Sequence, residues 1–170
     1  MIVLRTTRLE LRHLEPEDAA FVLDLFNQPS FVRNIGDRGI RDPDDARRYV
    51  REGPGASYAR HGFGLWGVQP RAGGELLGIC GLVRRDYLED VDVGFAFLPQ
   101  HWSRGYALES ATAVLGHARD VLGIRRIAAI VSPGNSRSIS VLERLGLRHE
   151  RNLVPPGAAG EVMLFARGLD

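Results

Sequence analysis

The chain has 170 residues, of which 44% are hydrophobic and 25% are charged, and its formal net charge is +1. This composition is ordinary for a soluble globular protein, and the length predicts one domain over residues 1–170. The near balance of 22 basic and 21 acidic residues argues against nucleic acid or an anionic membrane as a partner.

The N-terminal third of the chain predicts one strand and two helices. Residues 8–14, RLELRHL, alternate imperfectly between apolar and polar side chains, which indicates a strand. Residues 15–27 keep helical spacing of their apolar positions. A second helix is expected to begin after the candidate N-cap Asp42 and to end at Gly53. The intervening segment is rich in turn-forming residues and predicts a loop that can cover a site.

The middle of the chain predicts a hairpin and a further strand. Residues 63–69 and 75–83 are apolar runs separated by PRAGG, which is typical of two strands joined by a turn. Residues 90–98, DVDVGFAFL, alternate cleanly. This alternation places Asp92 on the face opposite Phe95.

The C-terminal third predicts two helices and three strands. Residues 106–123 form an amphipathic stripe that ends at a glycine, and residues 135–146 form a helix with Asn135 as its candidate cap. The predicted strands lie at 125–132, 147–154 and 160–169. Because a helix separates the strands at 90–98 and 125–132, those two should be parallel.

These elements predict a mixed α/β fold. We expect a central, mostly antiparallel sheet of about seven strands with about four helices, and one parallel pair flanking the helix at 106–123. No run approaches the about 20 apolar residues that cross a bilayer, and the N-terminus has no pattern of an export signal. Cys80 is the only cysteine, so no internal disulfide can form. We therefore expect a cytoplasmic protein.

The bend WSRGYA, residues 102–107, is the most informative connection in the chain. It contains no proline, so every residue keeps its main-chain N–H at the start of a helix, where no intrahelical carbonyl can accept it. Such a helix start attracts anions, phosphate above all. Gly105 allows a positive φ and a close approach of a ligand to the main chain. The alternative is a plain strand-to-helix turn with a glycine.

Four segments in order make the chain resemble the GNAT acetyltransferases. They are TTRLELRHLEPEDA, LLGICGL, VDVGFAFLPQHWSRGYALESA and SPGNSRSISVLERLGLR. The resemblance is greatest to the branch of the Rim-type protein N-terminal acetyltransferases, and it extends over nearly the whole chain. Each motif is modest, whereas their joint order is specific.

The resemblance implies a binding site for acyl-coenzyme A. The family's pyrophosphate loop, Gln/Arg-x-x-Gly-x-Gly/Ala, falls on residues 102–107, with Trp102 departing from the general pattern. The pyrophosphate would bind Ser103 to Ala107, and the pantetheine arm would pair with free main-chain groups beside Phe97 and Leu98. The residues expected to bind acetyl-coenzyme A are Phe97, Leu98, Trp102, Ser103, Arg104, Gly105, Tyr106, Ala107, Asn135 and Ser138.

Ser138 is the candidate catalytic residue on the thiol side of the reaction. Asn135 and Ser138 match the N-x-x-S pair that lies near the sulfur in this branch, and a hydroxyl can donate a proton to a thiolate. The alternative is ordinary helix capping by these residues. Many family members use a tyrosine as the acid, but no tyrosine follows residue 106.

Asp92 is the leading candidate for the group that takes a proton from the amine. Its alternative is a solvated charge on a strand, and Asp86, Tyr87 and Glu89 are rivals in the neighbouring turn. We expect Glu109, beside the phosphate loop, to be structural, because a free carboxylate there would repel a pyrophosphate. The spacing of the five histidines matches no metal site.

We expect the single cysteine and the two tryptophans to have structural roles. Cys80 lies in an apolar strand with no His partner nearby, which favours packing over nucleophilic chemistry. Of the two tryptophans, Trp66 is expected in the core and Trp102 in the wall of the site.

The predicted function is transfer of an acetyl group from acetyl-coenzyme A to a primary amine. The acceptor is a small molecule or a protein N-terminus, in a pocket shaped by residues 28–41 and 84–90. The alternative is a non-catalytic module that binds acyl-coenzyme A or a partner as a sensor. Apolar residues in the last strands would permit a homodimer.

Overall fold

One eight-stranded sheet organises the chain, which the computed structural model describes over residues 1–170. The strands are β1 Ile2–Arg5, β2 Leu9–Arg12, β3 Leu65–Pro70, β4 Gly78–Val83, β5 Val91–Phe97, β6 Arg126–Val131, β7 Arg148–Leu153 and β8 Val162–Gly168. Their spatial order is β1-β2-β3-β4-β5-β6-β8-β7. All neighbours are antiparallel except β5 and β6. The predicted mixed sheet with one parallel pair is thus confirmed. The additional strand is β1, whose sequence IVLR does not alternate between apolar and polar residues.

The sequence underestimated the number of helices. The helices are α1 Ala19–Phe26, α2 Pro29–Asn34, α3 Pro43–Val50, α4 Ala56–His61, α5 Tyr106–Asp120 and α6 Ser136–Arg144. The segment predicted as a loop contains α2, which begins with a proline at its first position. None of these helices has the length and apolar character needed to cross a membrane.

The second predicted helix begins where expected but does not end where expected. Asp42 caps α3 by accepting a hydrogen bond from the N–H of Asp45 at 2.8 Å. The expected end at Gly53 is wrong, because a π-helical turn over Arg51–Gly55 carries the chain directly into α4. The helical segment ends at Gly62, whose φ of 75° is a left-handed cap that glycine adopts at little cost.

The two faces of the sheet bury different helices. On one face, α5 and α6 pack against β5 and β6 in a cluster that includes Val93, Val114 and Leu142. On the other face, α1, α2 and α3 pack over Ile79 and its neighbours. Since side chains alternate along β5, Asp92 and Ala96 face the side of the N-terminal helices.

The parallel pair separates soon after it begins. Only Val91 and Asp92 of β5 pair with β6, opposite Ile127 and Ala128. β4 continues to pair with β5 as far as Phe97. The remainder of β5 therefore has one paired edge and one edge that faces a gap, and this gap opens through the sheet.

Candidate functional site

The loop before α5 offers a row of unpaired main-chain donors. None of the N–H groups from Ser103 to Leu108 has a hydrogen-bond partner in the chain, and α5 has no side-chain cap. Ser103 and Gly105 have φ values of 62° and 80°, so the main chain turns sharply and exposes its donors. Because α5 is 15 residues long, its dipole adds positive potential at the same point. The loop has the properties of an anion site.

Arginine side chains reinforce the positive potential around this loop. The guanidinium of Arg137 lies 4.9 Å from the centre of the Trp102 ring and donates to the Ser103 hydroxyl at 3.1 Å. The guanidinium of Arg8 lies 4.8 Å from the centre of the Tyr106 ring, but its charge is paired with the carboxylate of Glu109. Arg104 is exposed at the rim. Sequence reasoning missed Arg8, because only the fold brings the turn between β1 and β2 to this helix.

Glu109, the carboxylate nearest the loop, is neutralised by that same turn. It accepts hydrogen bonds from the Arg8 N–H at 3.0 Å and the Arg8 Nε at 2.7 Å, and a further one from the Thr6 hydroxyl. Burial alone would raise the pKa of Glu109, but Thr6 and Arg8 hold it below its ordinary value. The expectation of a structural Glu109 is confirmed.

The free edge of β5 supplies main-chain groups to the gap. The N–H of Leu98 donates to the carbonyl of Leu77 at 3.0 Å, and antiparallel alternation then directs Ala96 toward β4, whereas Phe95 and Phe97 point toward the gap. The carbonyl of Phe97 accepts from the Trp102 indole at 2.8 Å. The N–H of Phe97 and both main-chain groups of Phe95 thus face the gap.

Leu98 differs from its sequence prediction. Its N–H bonds to Leu77, and its carbonyl accepts from the N–H of His101 at 2.9 Å. Both main-chain groups of Leu98 are therefore bonded within the chain. The free main-chain groups of the strand lie at Phe95 and Phe97, where β6 has already parted from β5, and contact of a ligand with Leu98 stays a prediction.

Two cavities meet at this gap. The first cavity, of about 520 Å³, runs along the loop before α5 and is lined by Trp102, Gly105 and Ala107. The other, of about 620 Å³, lies between the two strands and the N-terminal helices. Phe95, Ala96, Asn135 and Ser138 line both. A long ligand can therefore bind the loop at one end and reach the second cavity through the sheet.

Ser138 lies where the two cavities join. Asn135 caps α6 by accepting from the Ser138 N–H at 3.2 Å, so the capping alternative is confirmed for Asn135. The Ser138 hydroxyl has no hydrogen-bond partner in the chain and is partly buried. It is therefore free to donate to a ligand in either cavity.

Asp92 is buried and ion-paired rather than solvated. It is 1% exposed, and its Oδ2 accepts from the Arg85 Nε at 2.5 Å. Burial raises the pKa of Asp92 to about 6, against the opposing charge and hydrogen bond of Arg85. Of the rival residues, Tyr87 lines the second cavity, whereas Asp86 and Glu89 do not.

The second cavity also includes elements that sequence reasoning missed. The segments 28–41 and 84–90 contribute to its wall, as predicted, but so does the connection between β7 and β8, at Pro155 to Ala159. No role was predicted from the sequence for the prolines and small residues of that connection. Their place over the gap depends on the antiparallel pairing of β8 with β6.

The remaining candidates behave as structural groups. Cys80 is fully buried, and burial raises the pKa of its thiol to about 12. Trp66 lies in the core, 1% exposed, and Trp102 lines the loop cavity, as both were predicted to do. No group of three or more His, Cys, Asp and Glu side chains is placed to hold a metal ion.

Comparison with known proteins identifies a family. The family model for the Acetyltransferase (GNAT) domain matches residues 8–148. YkkB of Bacillus subtilis strain 168, an uncharacterized protein, is 31% identical over 153 residues, which cover 88% of this chain and 87% of the relative.

Solved structures agree with this match. A crystal structure of an acetyltransferase from Agrobacterium tumefaciens strain C58 is 27% identical, with a TM-score of 0.81 over 96% of this chain and 92% of that one. The ribosomal L7/L12 alpha-N-protein acetyltransferase RimL, in complex with coenzyme A, has a TM-score of 0.84 at 18% identity. The alignment covers 100% of this chain and 99% of RimL. At 18% identity, the similarity shows a shared fold and nothing more specific.

Asp92→Asn should change how stability depends on pH. The pKa of Asp92 in the folded protein, about 6, lies above its ordinary value of 3.8. Its contribution to stability is therefore fully present below about pH 4 and lost as pH rises through 6. Urea titrations between pH 4 and pH 7 should show the free energy of unfolding of the wild type falling relative to that of the variant.

Asp86→Asn, which removes an exposed carboxylate from the turn that also carries Arg85, is the control. A difference between wild type and Asp92→Asn that stays constant, or grows in favour of the wild type as pH rises, would contradict the raised pKa. That outcome would mean that the attraction of Arg85 outweighs burial.

Proposed function

The chain belongs to the GNAT acetyltransferases, and from this membership we propose that it transfers an acetyl group from acetyl-coenzyme A to a primary amine. The family uses acetyl-coenzyme A. The acceptor is a small-molecule amine or a protein N-terminus. The similar length of the chain and its 31% identical relative, each covered to more than 85%, supports one catalytic domain over residues 1–170.

One observation carries the proposal. The gap between β5 and β6 joins a loop of free N–H donors to a second, partly apolar cavity, and Ser138 lies at the junction. A coenzyme A thioester has a pyrophosphate at one end and a reactive acyl group at the other, separated by a pantetheine arm that contains amides. The arrangement fits each of these parts in order.

We assign the residues accordingly. The main chain of Ser103 to Ala107 binds the pyrophosphate, and Arg104 and Arg137 add charge at its rim. The free main-chain groups of Phe95 and Phe97 pair with the amides of the pantetheine arm. The indole of Trp102 donates to the Phe97 carbonyl and forms one wall of the site beside the pantetheine arm. RimL, which shares the fold, is in complex with coenzyme A, which supports coenzyme A as the ligand.

The reaction exchanges one bond for another. The unprotonated amine forms an N–C bond to the acetyl carbon, the C–S bond breaks, and the proton lost by nitrogen balances the proton gained by sulfur. Of the two free N–H groups of β5, at Phe95 and Phe97, one pairs with the pantetheine arm and the other stabilises the developing oxyanion. Ser138 donates its hydroxyl proton to the leaving sulfur and recovers one from the amine side through water in the cavity.

We assign Asp92 to positioning rather than to proton abstraction. Its carboxylate is bound to Arg85 at 2.5 Å and is shielded from solvent, so protonation of Asp92 by the amine would forfeit the attraction of that ion pair. An α-amino group with an ordinary pKa of about 8 is partly unprotonated at neutral pH and needs no strong base.

Gly105→Glu should abolish coenzyme A binding. The new carboxylate would lie among the free N–H groups that we assign to the pyrophosphate, so it would both occupy the site and repel the anion. We expect an affinity at least about 100-fold weaker by calorimetry, since several charge-assisted contacts are lost together.

Gly123→Glu is the matched control at the other end of the same helix segment. Gly123 has a φ of 68° and open space around it, so that variant suffers a comparable backbone strain without approaching the loop. If Gly105→Glu folds and binds coenzyme A as tightly as Gly123→Glu does, the loop is not the pyrophosphate site.

Acetyl-coenzyme A turnover, followed by release of free thiol, tests the function itself. The wild-type protein should release thiol when a suitable amine or peptide is present, and Ser138→Ala should lower kcat by about 100- to 10,000-fold, the scale of one proton-transfer group. Its affinity for coenzyme A should change much less, because the serine contacts only the end of the ligand.

Two results would revise the proposal differently. An unchanged kcat in Ser138→Ala would remove Ser138 from the mechanism and leave the function in place. Tight binding of coenzyme A without turnover of any amine or peptide would favour the sensor, a fold that keeps its ligand site and has lost the reaction.

A further inference from the structure

We infer that the acceptor amine carries a negatively charged group, a carboxylate or a phosphate, which Arg38 and Arg85 hold in the second cavity. The inference rests on the proposed function and narrows the class of acceptor. It makes Arg38 a residue that determines specificity.

The position of the arginines separates them from the pyrophosphate site. Arg85 lies in the turn between β4 and β5 and is bound to Asp92 near the start of β5. Phe97, at the end of β5, is five residues further along, which corresponds to about 17 Å of extended chain. The charges of Arg38 and Arg85 therefore act on whatever enters from the acceptor side.

The charges that line the second cavity do not cancel. They belong to Arg38, Arg85 and Asp92 alone. Asp92 is bound to Arg85, and Arg38 forms no ion pair with any residue of the chain. One positive charge thus remains without a counter-charge, and no free carboxylate is present to receive a second cation. A polyamine acceptor would meet net repulsion there.

Arg38 and Arg85 line the same cavity, and both keep donors available to a ligand there. Asp92 uses the Nε of Arg85, which leaves the two terminal nitrogens of the guanidinium free to donate to a ligand. Burial raises the pKa of Tyr49 to about 12, and the charges of Arg38 and Arg85 both act to lower it. Tyr49 and Tyr87 also line this part of the wall.

The remaining wall strengthens the effect of the charges. Apolar side chains, among them Phe26, Phe31, Leu65, Ile79 and Val83, line the same cavity as the arginines. An apolar wall excludes water and lowers the local dielectric, so an anionic group gains more from Arg85, whose side chain is 25% exposed, than it would at an open surface. Arg38 is exposed and adds its charge at the mouth of the cavity. The acceptor expected from this chemistry is an amine with an apolar body and one anionic group.

Matched pairs of amines test the inference. Tyrosine and tyramine differ by a carboxylate, O-phosphoethanolamine and ethanolamine differ by a phosphate, and spermidine represents polycations. Thiol release is measured for each, with rates expressed per unprotonated amine, because the paired amines differ in basicity. We expect the anionic member of at least one pair to have the higher kcat/KM, and spermidine the lowest. The carboxylate and phosphate arms distinguish the two sources of charge.

Arg38→Ala should reduce the preference for the anionic member by about tenfold or more, chiefly through KM, because one charge-assisted contact is lost. Arg33→Ala is the control: Arg33 is an exposed arginine of α2 that lines neither cavity, so its loss removes the same charge without the contact. Arg38→Glu should reverse the preference, so that tyramine and ethanolamine become better substrates than their anionic counterparts.

The outcomes distinguish this inference from the proposed function. If uncharged or cationic amines are the better substrates, or if Arg38→Ala leaves the preference as it is, the inference is overturned and the function stands. If no amine releases thiol, calorimetry with tyrosine and O-phosphoethanolamine in the presence of coenzyme A decides the inference. Binding that Arg38→Ala removes supports an anion site in a protein without the proposed activity, and absence of binding overturns both.

Discussion

The separation of β5 from β6 is the constraint on which the site depends. Two residues pair in parallel, and the strands then diverge, which leaves main-chain groups unbonded at Phe95 and Phe97. Such groups are costly when they are buried without partners, and a ligand with amides can supply the partners. The hydroxyl of Ser132, just after β6, donates to the carbonyl of Asn34 at 2.7 Å, so the far side of the gap is tied to the N-terminal helices. The gap is therefore built into the fold and does not depend on one side chain.

At both ends of this gap, the carboxylate nearest the ligand path forms an ion pair within the chain. At the loop end Glu109 is bound to Thr6 and Arg8, and at the acceptor end Asp92 is bound to Arg85. Each carboxylate near the ligand path is thus paired within the chain. Free main-chain donors and two arginines without ion pairs, Arg104 and Arg137, remain at the loop end, and Arg38 remains without an ion pair at the acceptor end. This arrangement favours a ligand that is anionic at both ends.

Sequence reasoning recovered the features that are local. The alternation of β5, the glycine bend and the cap at Asn135 are all encoded within a few neighbouring residues, and the family motifs gave their order. It missed features that depend on distant contacts. Arg8 reaches α5 only because β1 and β2 pair, the prolines at 155 and 156 reach the cavity only through β8, and the end of the second helix at Gly62 depended on a π-helical turn that Gly53 alone does not reveal. Burial of Asp92 against Arg85 likewise could not be read from alternation, which predicts a face and not a partner.

Amide hydrogen exchange with and without coenzyme A measures the central claim directly, because the claim concerns particular main-chain N–H groups. Binding should slow exchange at residues 103–108, where the loop donors are free, and at Phe95 and Phe97, where β5 has lost its parallel neighbour. Slower exchange in the loop alone would leave the gap without a role. Binding that protects other residues and leaves both of these segments unchanged would contradict the account.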